Sequence, residues 1–258
     1  MNRYACQAIL KAATFPISAW ILVFSVFLIA AEPANDGGSS EELADAARQL
    51  IGNIRETHYQ HRTHVVASDG IYDMDCSGFV DYLLKRVAPD RYAQIPIEQG
   101  HFRPRAAVYY HFFADLPETH TPGWELIKQI AGAKAGDIIA WALTSSRQGD
   151  TGHVVIVAGR PVTVATDEST VEVYDSSGIL HDDDSRPAGT TGVGRGVITF
   201  KVDELGSPVG FRFNSNAHLH VEPIAIGRII DRGKALIPHF RIFCMTRTAN
   251  LALMGSWN

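Results

Sequence analysis

Apolar and polar positions change rhythm twice along the chain. Residues 39–52 open with Ser39-Ser40-Glu41-Glu42 and continue with Leu43, Ala46, Ala47, Leu50 and Ile51. That spacing predicts a capped amphipathic helix, with acids in its first turn, continuing toward Arg55. The same spacing returns at Cys76, Phe79, Val80, Leu83, Leu84 and Val87. It predicts a second helix with one buried face. Asp75, just before it, carries a carboxylate suited to cap the free backbone N–H groups. Between the helices lie an aromatic, His-rich connector at 57–64 and a short extended or turn segment at 65–72.

The stretch 88–121 is irregular and carries Pro89, Pro96, Pro104 and Pro117, with a helix predicted at 106–113 and a further short one at 124–130. Its arginines and aromatics fit either the wall of a groove or a small satellite core, the commoner outcome. From residue 136 the rhythm turns to short β-branched runs. Gly136-Asp137-Ile138-Ile139-Ala140-Trp141 and Gly152-His153-Val154-Val155-Ile156-Val157 predict two strands. Shorter ones follow at 162–164 and 171–174, then a polar loop at 176–196, then late strands at 197–202 and 218–230. Helices first and strands afterwards predict an α+β domain, helix packed on antiparallel sheet. No role is assigned to 232–258.

Composition adds the compartment. Residues 1–15 carry Arg3 and Lys11 and no acid; residues 15–31 are uncharged and mostly apolar; a polar exit follows at 32–38. This is the pattern of a secretory signal, or of an uncleaved N-terminal anchor, so 1–31 is set apart and 39–231 is expected to be an exported domain of the periplasm or cell envelope. The 258 residues carry a net charge of −5 with no basic block, which argues against a nucleic-acid partner. Membrane contact is expected only through an uncleaved N-terminal segment, and the protein is expected to be a monomer.

Of the three cysteines, Cys6 lies in the leader, leaving Cys76 and Cys244. Two cysteines in an oxidising compartment are able to pair. The setting of Cys76 favours a free thiol instead. It falls in the first turn of a helix, where unpaired N–H groups and the helix dipole favour an anion, and Ser77 and Gly78 leave room beside the sulfur. A cysteine nucleophile needs a base and a group to orient that base. His153, at the start of an otherwise apolar strand, is the candidate base. Asp175, ending the next substantial strand, is the candidate orienter if the two strands are neighbours. Asp175 also suits the turn that follows it.

These blocks carry a resemblance. Asp75-Cys76-Ser77-Gly78-Phe79-Val80, Gly136-Asp137-Ile138-Ile139-Ala140-Trp141 and Gly152-His153-Val154-Val155-Ile156-Val157 resemble the three signature blocks of NlpC-type (NlpC/p60 superfamily) cell-wall cysteine peptidases, in the family's order. The resemblance implies a papain-like fold, with an N-terminal helix carrying the cysteine packed on an antiparallel sheet. It implies cleavage of amide bonds in peptidoglycan stem peptides, typically between D-γ-glutamyl and a diamino acid. It implies Cys76 as nucleophile, His153 as base, Asp175 as the third polar residue and Tyr59 as the tyrosine near the oxyanion site. Asp75, Ser77 and Gly152 flank this group and are expected to line the substrate site. The chain departs from the compact family domain in a long insertion at about 88–133, a long gap from His153 to Asp175 and an extra loop at 176–196. Those departures bear on the substrate more than on the catalytic pair.

Other features compete. His181 is an alternative to Asp175 as support for His153. The run His181-Asp182-Asp183-Asp184 offers oxygen ligands for a divalent cation, but lacks the glycine-spaced loop of an EF-hand, and a solvated acidic turn is preferred. His58, His61 and His64, three apart, suit one helix face as metal ligands, but no cysteine or carboxylate completes the set, and a solvated polar face is preferred. No metal and no cofactor are expected. The functional alternatives are a non-catalytic exported binding protein on the same fold, or an acyltransferase or hydrolase acting on a non-murein amide or thioester.

Overall fold

Ser39 starts the first helix by a capping box. Its hydroxyl accepts the Glu42 N–H at 3.1 Å, and the Glu42 carboxylate accepts the Ser39 N–H at 2.9 Å. Two of the donors that a helix start leaves free are thereby satisfied. The computed structural model describes residues 39–117, 122–145 and 150–230. The leader at 1–31, the exit at 32–38 and the tail at 232–258 with Cys244 lie outside the described residues.

Helix α1 (Ser40–Gly52) is followed by the hairpin strands β1 (His64–Val66) and β2 (Ile71–Asp73), then by helices α2 (Cys76–Val87), α3 (Pro89–Tyr92) and α4 (Ala106–Ala114). Strands β3 (Trp124–Leu126), β4 (Ile138–Ala142), β5 (Gly152–Val157), β6 (Val162–Ala165), β7 (Glu168–Ser177), β8 (Gly192–Val202), β9 (Pro208–Arg212) and β10 (Ile224–Ile229) complete the order. All eight join one antiparallel sheet in the order β3-β10-β4-β5-β7-β8-β9, with β6 paired to β7. The protein is therefore a mixed α+β fold with helices packed against a large antiparallel sheet. The cysteine stands on the second helix of the described chain, not on the first.

Both sheet faces are buried. Val154 and Ile156 of β5 face the helices, packing with Leu43, Phe79, Leu83, Tyr109 and Phe113. Val155 and Val157 face the other way, into a second core with Ile139, Trp141, Ile198, Phe200 and Phe211. Among the described residues, no α-helix covers that second face. The sheet covers it by curling, so that Trp141 on β4 meets Phe211 on β9 with ring centroids 4.2 Å apart, although three strands lie between them in sheet order. A strand buried on both faces reads as a continuous apolar run, which is how β4 and β5 read.

Three expectations change. Helix α1 ends at Gly52, where the Asn53 side-chain amide donates to the Gln49 carbonyl, and does not continue toward Arg55. The segment 124–130 is not a helix. Trp124 begins a strand paired with Ile229 of β10 and packs its ring against Phe113, and only a turn of 3₁₀ helix at Ile130–Gly132 follows. A short apolar run does not separate strand from helix by spacing alone. The polar loop at 176–196 is shorter than expected, because β7 and β8 stay paired as far as Ser177 and Gly192.

Candidate active site

The start of α2 is held by a dense set of polar contacts. Asp75 Oδ1 accepts the Gly78 N–H at 2.8 Å, the cap its sequence position predicts. Arg103 brings one guanidinium nitrogen to 2.7 Å from both Asp75 oxygens and the other to 2.5 Å from Ser77 Oγ and 3.5 Å from Asp81. His61 Nδ1 lies 3.2 Å from Asp75 Oδ2. Asp81, one turn further along, accepts the Tyr109 hydroxyl at 2.6 Å. Burial pushes its carboxyl up to about 7, against the opposing pull of Tyr109 and Arg103. Gly78 belongs to the same packing: a Cβ there would stand 2.8 Å from Thr63 Oγ1.

Cys76 is a free thiol, buried to 4 % exposure, at the inner wall of a cleft of about 940 Å³. Its N–H is in the first helical turn, where no earlier carbonyl is available to accept it. Asp75, Ser77, Tyr59 and Gly152 line the same cleft. The polar atoms of Asp75 and Ser77, however, are already taken up by Arg103 and the helix cap. Tyr59 is half-buried and anchored by its backbone N–H to Thr191 Oγ1 at 3.1 Å. Burial, and then the charges of Cys76 and Asp75, hold its hydroxyl far above the ordinary phenol range, so it remains a proton donor.

Gly152 explains how β5 reaches the site. Its φ is +138°, and a Cβ would lie 1.9 Å from the Trp141 carbonyl oxygen, so only glycine lets the two backbones approach where β5 begins. The next residue, His153, pairs in register with Trp141, and its ring packs 5.2 Å from that indole and 5.5 Å from Phe213. Strands β5 and β7 are neighbours, the condition for Asp175 to meet His153. Asp175 Oδ2 lies 2.7 Å from His153 Nε2. An ionised carboxylate can only accept, so His153 presents Nε2–H to it and leaves Nδ1 as the ring nitrogen for another partner. The Cys76 side chain acts on the same ring. Burial alone would lower the His153 pKa; the charge on Cys76 and the hydrogen bonds of Asp175 and Cys76 outweigh it and raise it to about 10. Cys76 packs with the helix-side core and His153 with the aromatic side, so their contact joins the two cores.

Asp175 and His181, the two alternatives as support for His153, stand in one line with it. Asp175 touches His153 directly, and His181 Nε2 lies behind, 2.9 Å from the same oxygen Oδ2. Arg186 Nη2 stands 3.8 Å from Oδ1. Burial would raise the Asp175 pKa, but His181 and His153 more than compensate and hold the carboxyl well below its usual range.

The remaining candidates have other partners. His58 and His64 both approach Asp73, at 3.0 and 3.4 Å, from the connector and from β1, and no helix forms there to line them up. Among the described residues, no group of three or more His, Cys, Asp or Glu side chains is placed to hold a metal ion. The acidic run is a turn that is only partly solvated, with Asp183 exposed and its neighbours engaged. Asp184 takes Arg186 at 2.6 and 2.8 Å and the His181 N–H at 2.8 Å, while Asp182 takes the N–H and hydroxyl of Ser215. Sequence reasoning offered Arg103 as part of a groove wall but missed its hold on Asp75, and missed the role of Arg186. For Arg186 the available signal was the nearby Asp184, weak because most such pairs are exposed, whereas Arg103 lies 28 residues from Asp75 and no local signal links them. The aromatic-and-arginine stretch divides between both of its readings: Tyr109 and Phe113 of α4 enter the core, whereas Phe102, 98 % exposed, and Arg103 form one wall of the cleft.

No protein-family model matches the chain, and no curated protein matches it. Among solved structures, the wild-type endolysin LysIME-EF1 is similar to it with a TM-score of 0.35 and 16% sequence identity, over 68% of this chain and 66% of that one.

Proposed function

We propose that this protein is an exported cysteine hydrolase of NlpC type that cleaves amide bonds in peptidoglycan stem peptides, at D-γ-glutamyl–diamino acid bonds or their near relatives. The observation that carries the reaction class is the hydrogen bond from His153 Nε2 to Asp175, at 2.7 Å, which leaves Nδ1 for a free thiol at a helix start. Substrate class and compartment rest on the three motif blocks and on the leader-like N-terminus. A non-catalytic scaffold would be favoured by a disulfide at Cys76 or a His153 turned away from it. Cys76 is a free thiol, which speaks for the catalytic reading.

In this reading His153 Nδ1 takes the Cys76 proton, and the thiolate attacks the scissile carbonyl carbon. The oxyanion that forms accepts the Cys76 N–H and the Tyr59 hydroxyl. When the C–N bond breaks, His153 gives its proton to the leaving amine, and the acyl group stays on sulfur as a thioester. Water then attacks, giving one proton to His153; the C–S bond breaks, the acid leaves, and the thiol recovers its proton. Asp175 keeps the His153 ring in the tautomer with Nδ1 free and balances the imidazolium charge. A donor aimed at such an oxyanion is worth on the order of a hundredfold in rate. The test is hydrolysis of purified muropeptides by the protein and by Cys76→Ala, with products identified by mass. Full loss in a variant whose melting curve is unchanged is expected; retained cleavage overturns the nucleophile.

A further inference from the structure

The reading above uses Cys76, His153 and Asp175, and leaves a second histidine unexplained. His181 is fully buried at its side chain and follows β7 on the loop leading to β8. Its ring lies parallel to Phe213, 8° from coplanar. Its Nδ1 is buried with no hydrogen-bond partner. A hydrocarbon side chain would fill such a place without leaving a polar atom unsatisfied, and buried polar atoms without partners are rare because they are costly. What the imidazole adds is its other nitrogen: Nε2 reaches Asp175 Oδ2, the oxygen that also receives His153.

We propose that His181 is a positioning residue, which holds the Asp175 carboxylate oxygen at the point where His153 meets it. The inference rests on the reading of Cys76 and His153 as nucleophile and base. Both rings must present Nε2–H, because the carboxylate they share only accepts. With two donors on one oxygen, the carboxylate has no freedom to turn about its Cβ–Cγ bond without breaking one of them. Asp175 Oδ1 has no hydrogen bond of its own, and on that side only the Arg186 guanidinium, 3.8 Å away, would act on the group if His181 were lost. The charged and titratable groups around the carboxylate are His153 from β5, His181 and Arg186 from the loop after β7, and, across His153, Cys76 and Tyr59. Arg186 is too far for a hydrogen bond and is engaged instead by Asp184 and by the carbonyls of Ser177 and Gly192. His181 is itself fixed by that latch, through its N–H on Asp184 and its ring on Phe213. The support therefore runs from loop to histidine to carboxylate to base.

The test compares three variants of the full chain. A glutamine amide nitrogen reaches about as far as Nε2, an asparagine nitrogen only about as far as Nδ1, and leucine has no donor. The readout that needs no substrate is the low-field proton resonance of the His153 Nε2–H, identified by its disappearance in His153→Gln. It is expected to stay sharp and in place in the native protein and in His181→Gln. It is expected to broaden or vanish in His181→Asn and His181→Leu, as the loosened carboxylate lets the proton exchange. On muropeptides the same two variants should lose roughly tenfold to a hundredfold in kcat with KM little changed, since misplacing a catalytic group costs about that much, and His181→Gln should recover most of it. If His181→Leu does not fold, the glutamine and asparagine variants decide between themselves. A folded His181→Asn that keeps the resonance at its native position overturns the proposal, as does a His181→Gln as damaged as His181→Asn. Absence of any muropeptide cleavage by the native protein would instead count against the functional reading, and would leave the resonance comparison to judge His181.

Discussion

Asp175 sits at the centre of the side chains that set protonation in the cleft. It is fully buried, yet ionised, because two histidine N–H groups replace the water it has lost. Its partner His153 gains from the arrangement in the opposite sense. Burial disfavours the imidazolium, but the Cys76 charge and the Asp175 bond raise its pKa to about 10. A raised value means that the protonated form persists below about pH 10 and is lost above it. Under the proposed mechanism that form is the acid that releases the leaving amine. Turnover on muropeptides is therefore expected to fall as pH rises through about 10, in a pH–rate profile of the native protein. A fall centred on the ordinary imidazole value, about 6.5, would show that His153 is not held by this pair.

Helix α2 depends on a residue that lies outside it. Arg103, in the loop before α4, ties that loop to Asp75, Ser77 and Asp81 in the first two turns of the cysteine helix. Two nearly buried carboxylates thus share one cation, with side-chain exposures of 9 % and 3 % for the acids. Removing the cation leaves both charges without their compensation. Arg103→Ala is expected to cost about 3 kcal/mol in urea unfolding, the scale for breaking a buried pair from one side. Arg103→Lys should recover only part of it, because an ammonium lacks the planar fork that reaches Asp75 and Ser77 together. An alanine variant as stable as the native protein would show the contact to be surface decoration. The same loop carries Phe102 and Gly100 into the cleft beside Cys76.

On the scale of the molecule, two cores meet at the cleft. The helix-side core places Cys76, and the aromatic core holds the ring of His153 against Trp141 and Phe213. The second core exists only because the sheet curls until β9 approaches β4 through the Phe211–Trp141 contact. Phe211→Ala should open a cavity there and destabilise the protein by about 3–5 kcal/mol in chemical denaturation, with a change in tryptophan fluorescence as the Trp141 ring loses its neighbour. A loss below 1 kcal/mol, on the order of a surface change, would mean that the curl is held elsewhere.

Much of this was legible in the amino-acid order, for physical reasons that act locally. The capping box at Ser39, the Asp75 cap and the apolar spacing after Cys76 depend on residues within one or two turns, and they place two helices and Cys76. Short continuous β-branched apolar runs mark β4 and β5, and with them the start of β5 at Gly152-His153. Adjacency of β5 and β7 was a condition the sequence could only pose, because pairing depends on backbone bonds between segments far apart. The same holds for Trp124, whose three-residue strand exists because β10 is there to pair with it. The contacts of Arg103 with Asp75 and of His181 with Asp175 likewise arise only once distant loops fold onto α2 and β7. Local pattern determined which residues start helices and strands, and which thiol and imidazole are candidates for chemistry. Tertiary structure alone decided which carboxylate meets that imidazole and what holds it there, since a buried charge takes its partners from whatever the fold brings within hydrogen-bond reach.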